Sequence, residues 1–481
     1  MCVEPDPSYN ALPVTMAPMI RSLVSCALAG LACVCCAQTL RPELNTLAIV
    51  GARIEVKPGQ VVEKGTVLVR NGLIVEVGQN VKVPAGSEII DGTGLFVYAG
   101  FVDCGTTKGL RKAPDRPRQN EVFDPSTDFA TTMRWESPTI RPDLSAADLF
   151  DPDDAAWKEE RKAGFTTALV YPAGGVIKGQ AALVDTDGRA RRTSVVADSL
   201  ALAMDFTGGG DPYPGTPLGS FAVVRQAFLD ADWMKNASKS YARVGAPRPP
   251  DDPCLEALSK LRGLPAVFDA DAIWKIDSVV SFAKELGLRP IVLGAKEAYK
   301  RNGCLDGASA ILKMDFAPEP FPKKDEKEKE KEKEKEGDKD KEELAPEPDA
   351  KKAERQRIWL EGVRNAKTLF DSGIPFALST QGCKSQDAFF ENLRRAVKEG
   401  LPREAALAAL TVNPSSLFGL DKSLGTVEPG KIANLTVMTL DFIDPKAKVK
   451  ILVVDGIKVD PSKEQFKPDN APPQFGDGGG Q

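Results

Sequence analysis

Five short apolar runs in the middle of the chain restrict its fold more than any other feature. TTALVYP (166–172), PAVFDADA (265–272), RPIVLGA (289–295), SAILKMDF (309–316) and PFALSTQ (375–381) read as strands, and helix-period stretches such as Ile276–Leu286, Glu354–Ser372 and Asp387–Glu399 lie between them. Strands without a polar face must be covered on both sides. Alternating strand and helix does this with a parallel sheet. Over roughly 300 residues the expected closed form is α/β, a TIM-like (β/α)8 barrel or a distorted version of it.

The two ends of the chain have a different texture. LAIVGARIEV, GTVLVRNGLIVEVGQNV and SEIIDGTGLFVYAGFVD are short alternating runs, and Arg70-Asn71-Gly72 supplies the positive φ angles of a tight hairpin turn. GTVEPGKIANLTVMTLDF and KVKILVVDGIKVD near the other end repeat that texture. One composite β-sandwich is therefore expected from residues 38–100 and 420–463, flanking a barrel over 101–419. The charged run Lys323–Glu343 carries nine positive and eleven negative residues and nothing apolar to bury. It predicts a solvated, disordered insert over 323–352, between the seventh and eighth strands. The Pro- and Gly-rich stretch 464–481 predicts a disordered tail.

With 63 Lys and Arg against 68 Asp and Glu, the net charge of -5 is slight, and no basic stripe marks a nucleic-acid binder. Arg21 precedes an apolar run, Leu23–Val34, too short to span a membrane but suited to a secretory signal over residues 1–37, with Met16 or Met19 as alternative starts. Cleavage after Ala37 would begin the mature chain at Gln38, and a lipid anchor at Cys33 is the less favoured alternative. The expectation is an exported protein, periplasmic or secreted and not transmembrane after signal removal. Beyond that segment Cys104, Cys254, Cys304 and Cys383 are scattered singly, as buried thiols are.

YAGFVDCGT (98–106) and the long stretch ALAALTVNPSSLFGLDKSLGTVEPGKIANLTV (406–437) carry a resemblance. The chain resembles the amidohydrolase superfamily, metal-dependent hydrolases of carbon–nitrogen bonds other than peptide bonds, and especially its imidazolonepropionase-like and dihydroorotase-like branches. Gly100, Phe101, Val102 and Asp103 match the family's "PGFIDxHxH" motif. The likeness covers most of residues 46–458 and implies a barrel flanked by a composite sandwich.

The resemblance also implies where zinc or another divalent metal would be held. The two His positions of the first barrel strand fall on Gly105 and Thr107. The fifth-strand His falls on Asp269 and the sixth-strand His on Gly294, with Glu297, Ala298 and Tyr299 retained after it. The eighth-strand Asp falls on Gln381, and the fourth-strand Lys has no recognisable counterpart. The chain contains no histidine at all, whereas catalytic zinc sites rest on imidazole with carboxylate or thiolate, and His is the usual general base near neutral pH.

The candidates left for chemistry are few. Asp269 and Asp271 close the fifth strand, where paired carboxylates could act as acid and base or hold a hard cation. Asp103 closes the first strand, where a structural role is the favoured reading, and a buried Lys296 could serve as a nucleophile, although a surface pair with Glu297 is favoured. PAGGVIKGQAALV (172–184) reads as a Gly-rich loop without the order of a phosphate cradle. The reading favoured is an amidohydrolase-family protein without its metal centre or other cofactor, acting as a small-molecule-binding or scaffold pseudoenzyme, alone, as a homo-oligomer or paired with an active paralogue. The alternative is a hydrolase of cyclic amides or related bonds that uses Asp-based chemistry or an oxygen-coordinated metal.

Overall fold

The computed structural model describes residues 46–114, 139–207, 214–249, 252–321 and 348–462. The expected signal segment and C-terminal tail lie outside these residues, as does most of the charged insert. The insert does not reach 352, because helix begins at Asp349.

The two ends of the described chain build one mixed sheet. β1 (Thr46–Lys57), β2 (Gln60–Arg70), β3 (Leu73–Gly78), β4 (Glu88–Asp91) and β5 (Phe96–Ala99) come from the first end, and β14 (Leu435–Met438), β15 (Val449–Val454) and β16 (Ile457–Val459) from the second. Their order is β16-β15-β14-β5-β1-β2-β3, with β4 also on β1. β14 lies antiparallel to β5, with Leu435 opposite Ala99. The long β1 slips register around Ala52 and gives its first half to β4 and its second to β5. The sheet can thus wrap a core that includes Ile49, Val67, Val97, Leu435 and Val453. Asn71 and Gly72 have φ of 52° and 79° and turn β2 into β3, as their side chains predict.

The second sheet contains β6 (Phe101–Thr106), β7 (Phe165–Val170), β8 (Ile177–Asp185), β9 (Val195–Asp205), β10 (Pro265–Ala270), β11 (Arg289–Gly294), β12 (Ser309–Lys313) and β13 (Phe376–Ser379), neighbours in that order. It curls into a nearly closed barrel. Helices cover it: α1 (Ala156–Ala163) before β7; α2 (Pro217–Val244) and α3 (Pro253–Leu261) before β10; α4 (Ile273–Glu285) before β11; α5 (Asp349–Asp371) before β13. α6 (Gln386–Lys398), α7 (Arg403–Leu410) and α8 (Val412–Leu417) follow β13. Helix starts are capped locally: Thr216 accepts from the Gly219 amide, Asp252 from Cys254 and Leu255, and Ser385 from Ala388.

The barrel departs from the expected parallel form at β8, which runs antiparallel to both β7 and β9. The cause is connection length. A parallel crossover needs about a dozen residues or more. Only Tyr171–Val176 joins β7 to β8, and the β8–β9 link holds no more than the helical turn Arg191–Ser194. The Gly-rich stretch 172–184 is therefore mostly a strand, not a loop.

Side chains sort by alternation. Cys104, Leu169, Ala203, Val267, Leu293, Ile311 and Ala377 fill the barrel, stopped at one end by Leu417, Phe418 and Leu424. Phe101, Phe165, Phe268 and Leu378 face outward onto Phe228, Val279, Leu369 and Phe389 of the helices. No backbone ladder joins β13 back to β6. Side chains bridge that seam instead: the Thr380 amide and hydroxyl donate to Asp103 at 2.8 and 2.7 Å, and the Ser379 hydroxyl donates to the Gly105 carbonyl at 2.7 Å.

Candidate functional site

The carboxyl ends of the parallel strands form one mouth, and inward-pointing positions carry charge there. On β9, β10 and β12 the alternation that buries Ala203, Val267 and Ile311 places Asp205, Asp269 and Lys313 one step higher on the same face. β8 arrives from the opposite direction, and Lys178, beside the distorted Gly179 (φ 134°), points into the same space.

These side chains form an alternating lattice of lysine and aspartate. Lys313 Nζ lies 2.9 Å from Asp269 Oδ1 and 3.8 Å from Asp271 Oδ2. Lys178 Nζ lies 3.9 Å from Asp269 Oδ2 and 3.6 Å from Asp205 Oδ2. Lys275, from the first turn of α4, donates to Asp205 at 3.0 Å and to the Thr207 hydroxyl at 2.6 Å. Lys296 donates to Asp315 at 2.7 Å and stands 3.8 Å from Asp271. The Lys178 and Lys313 side chains are each only 10% exposed, so these are inward ion pairs and not surface ones.

The lattice shifts its own acids and bases. Burial works against the Asp205 carboxylate, but the Thr207 hydroxyl with Lys178 and Lys275 holds its pKa below the ordinary value. Burial likewise opposes the Lys313 ammonium, and Asp269 foremost, with Asp271 and Asp315, raises its pKa nonetheless. Asp271 is raised, chiefly by burial, despite Lys313 and Lys296 nearby. Tyr171 stands beside the lattice. Its ring lies 5.5 Å from Lys178 Nζ and its hydroxyl donates to Gln381 Oε1 at 3.1 Å. Burial raises that phenol above its usual range.

Several residues singled out from sequence meet here. Gly105 has φ 118°, and a methyl group built on it would meet Leu293, Tyr171 and Ser379 at 3.3–3.7 Å. Gln381 closes over the same Tyr171, and Asp269 joins through Lys178. At Gly294, φ 99°, a side chain would run into Asp271 Oδ1 at 1.9 Å. The space that a side chain at Gly294 would need is thus occupied by the Asp271 carboxylate. Thr107 is half-buried just beyond β6.

Asp103, by contrast, faces away from the mouth and ties Thr380 to the barrel seam. It is fully buried, and burial raises its pKa. Lys296 is not buried but 40% exposed and engaged by two carboxylates. Glu297 accepts from the Ile273 amide at 3.0 Å and so supports the start of α4. Cys104 is sealed in the barrel core, where burial raises its pKa well above that of a reactive thiol.

A divalent metal of the kind the fold family uses does not fit these residues. The carboxylates that point inward are already bridged by lysine ammonium groups, whose charge opposes a second cation. Among the described residues no group of three or more Cys, Asp or Glu is arranged to hold an ion. Lys178, Asp205, Lys275, Lys313 and Asp315 were not identified from the sequence. The available signal was charge inside an otherwise apolar run, as with Lys313 and Asp315 in SAILKMDF and Asp205 in LALAMDF.

The described chain is thus a distorted barrel with charged strand ends, flanked by a sheet made from both chain ends. Residues 351–459 match the model of the amidohydrolase family. The fold is similar to that of an amidohydrolase from Thermotoga maritima, with TM-score 0.65 and 23% identity, covering 86% of this chain and 99% of that one. A phenylurea hydrolase B is similar at TM-score 0.49 and 16% identity, covering 87% and 97%. The likeness in sequence lies in residues 351–459, and the likeness to the solved structures is one of fold. No helix among the described residues is long and apolar enough to cross a membrane.

Proposed function

We propose that this chain is an amidohydrolase-fold protein that does not carry out metal-dependent hydrolysis and acts instead by binding a small molecule or as a scaffold, after export. The observation that carries this reading is the position of the Lys313 and Lys178 ammonium groups between Asp269, Asp271 and Asp205 at the barrel mouth. Metal-assisted hydrolysis needs a cation with an open coordination position that can bind and acidify water. A lysine ammonium supplies the charge without that position. It has three N–H donors and no site at which water can be deprotonated. The sequence also lacks an imidazole to act as base in a metal-free mechanism.

The test is a turnover screen of the full chain on dipeptides, including those ending in proline, and on cyclic amides, each with zinc, manganese or magnesium added. The expected result is no metal-stimulated hydrolysis above background. Turnover that rises with added metal and is lost in Asp269→Asn would establish the active-hydrolase alternative in its place.

A further inference from the structure

A second site lies away from the mouth, where α1 and α6 meet the segment that joins β14 to β15. A cavity of 330 Å³ opens there, within the size range of small-ligand pockets. Its apolar wall is Phe390, Met438, Phe442 and Val449. This wall is anchored: the Phe390 and Phe442 rings pack 6.3 and 6.1 Å from Phe101 at the start of β6. Phe442 and Met438 are buried.

The charged groups around the cavity do not balance. Asp444 is committed to its own turn, accepting from the Lys446 amide at 2.7 Å. Asp387 occupies the first turn of α6, where a negative charge complements the helix dipole. Lys162 is paired with Glu159 at 2.6 Å. Arg394 and Lys448 also line the cavity, and neither side chain donates to any described residue. Arg394 is half-buried as a residue, and its guanidinium has no carboxylate partner among the described residues. A planar guanidinium matches a carboxylate in two parallel hydrogen bonds.

We propose that this cavity binds a small organic carboxylate with an aromatic or apolar body, its carboxylate held by Arg394 with Lys448 nearby and its body resting on Phe390 and Phe442. The site is independent of the barrel mouth and of whether the mouth is active.

The experiment is calorimetric titration of the full chain with phenylacetate, benzylamine and inorganic phosphate as separate probes. Saturable phenylacetate binding is expected, with benzylamine and phosphate at least tenfold weaker. Arg394→Ala should weaken phenylacetate at least tenfold, and Arg394→Lys, which keeps the charge but not the fork, should fall between. Circular dichroism of each variant establishes that it is folded. A dissociation constant weaker than about 10 mM would overturn the proposal. So would phosphate or benzylamine binding as tightly as phenylacetate, or Arg394→Ala leaving a folded protein with unchanged affinity.

Discussion

Lys313→Met tests the lattice at its tightest contact. The substitution keeps most of the side-chain volume and removes one ammonium, which lies 2.9 Å from Asp269 and 3.8 Å from Asp271 on a side chain 10% exposed. At an effective dielectric of about 20, two unit charges at that shorter distance attract by roughly 6 kcal/mol before desolvation is counted. Breaking a buried pair from one side costs about 3–5 kcal/mol, because the remaining charge keeps its desolvation penalty without its partner. Among the described residues Asp269 would retain one ammonium partner, Lys178, at 3.9 Å. The expected outcome at pH 7 is therefore a loss of about 3–5 kcal/mol in unfolding free energy, measured by urea titration followed by circular dichroism. Lys313→Met combined with Asp269→Asn removes both charges and should recover about 2 kcal/mol relative to the sum of the single variants. A single-variant loss below about 1 kcal/mol, the range of exposed pairs, or strict additivity in the cycle would refute the reasoning.

Lys178→Ala with Lys313→Ala removes both ammonium groups that stand against Asp269 and leaves Asp205 with Lys275 and Asp271 with Lys296 among the described residues. That variant should gain measurable manganese or calcium binding by calorimetry that the native chain lacks; no gain in a folded double variant would contradict the surrogate-cation reading. Gly294→Ala forces a methyl group onto Asp271 Oδ1 at a φ of 99°. It should cost at least ~2 kcal/mol in the same urea assay, and a neutral substitution would mean that the Asp271 carboxylate does not occupy that space. Glu160 on α1 is fully buried, with Oε1 accepting from Gln386 at 2.7 Å and Oε2 unpartnered among the described residues. Burial foremost, then Asp103, against the opposing pull of Lys108, pushes its pKa up to about 8. Between its unfolded pKa of roughly 4.3 and that value, the folded state binds the extra proton. Glu160 therefore contributes a stability that declines as pH rises from 5 to 8. Glu160→Gln should flatten that decline, and an unchanged slope would refute the assignment.

The layered architecture was legible because both of its signals are local. Apolar strand runs are separated by helix-period segments, and the Asn71-Gly72 turn and the strands near Leu435 and Val453 show that the two chain ends share one texture. The antiparallel β8 was not legible: Gly174, Gly175 and Gly179 make the stretch before and within it read as a loop, and only the length of the flanking connections gives the direction away. Of the site, Asp269, Gly105, Gly294 and Gln381 could be found as departures from a family motif. Lys178, Asp205 and Lys313 could not, because the motif gave no counterpart for them and their pairing crosses strands far apart in sequence. Asp103 carried the opposite risk. It sits in the motif beside the mouth, yet one step of strand alternation turns it outward to Thr380 and makes it part of the seam.

In the function proposed above, lysine charge at the barrel mouth takes the place of a bound metal ion. This is tested most directly by elemental analysis of the full chain, purified without chelator and then dialysed against zinc, manganese and iron. Less than about 0.1 equivalent of any of them should remain bound per chain. One or two equivalents of a transition metal, displaced from the protein only by a strong chelator, would contradict it.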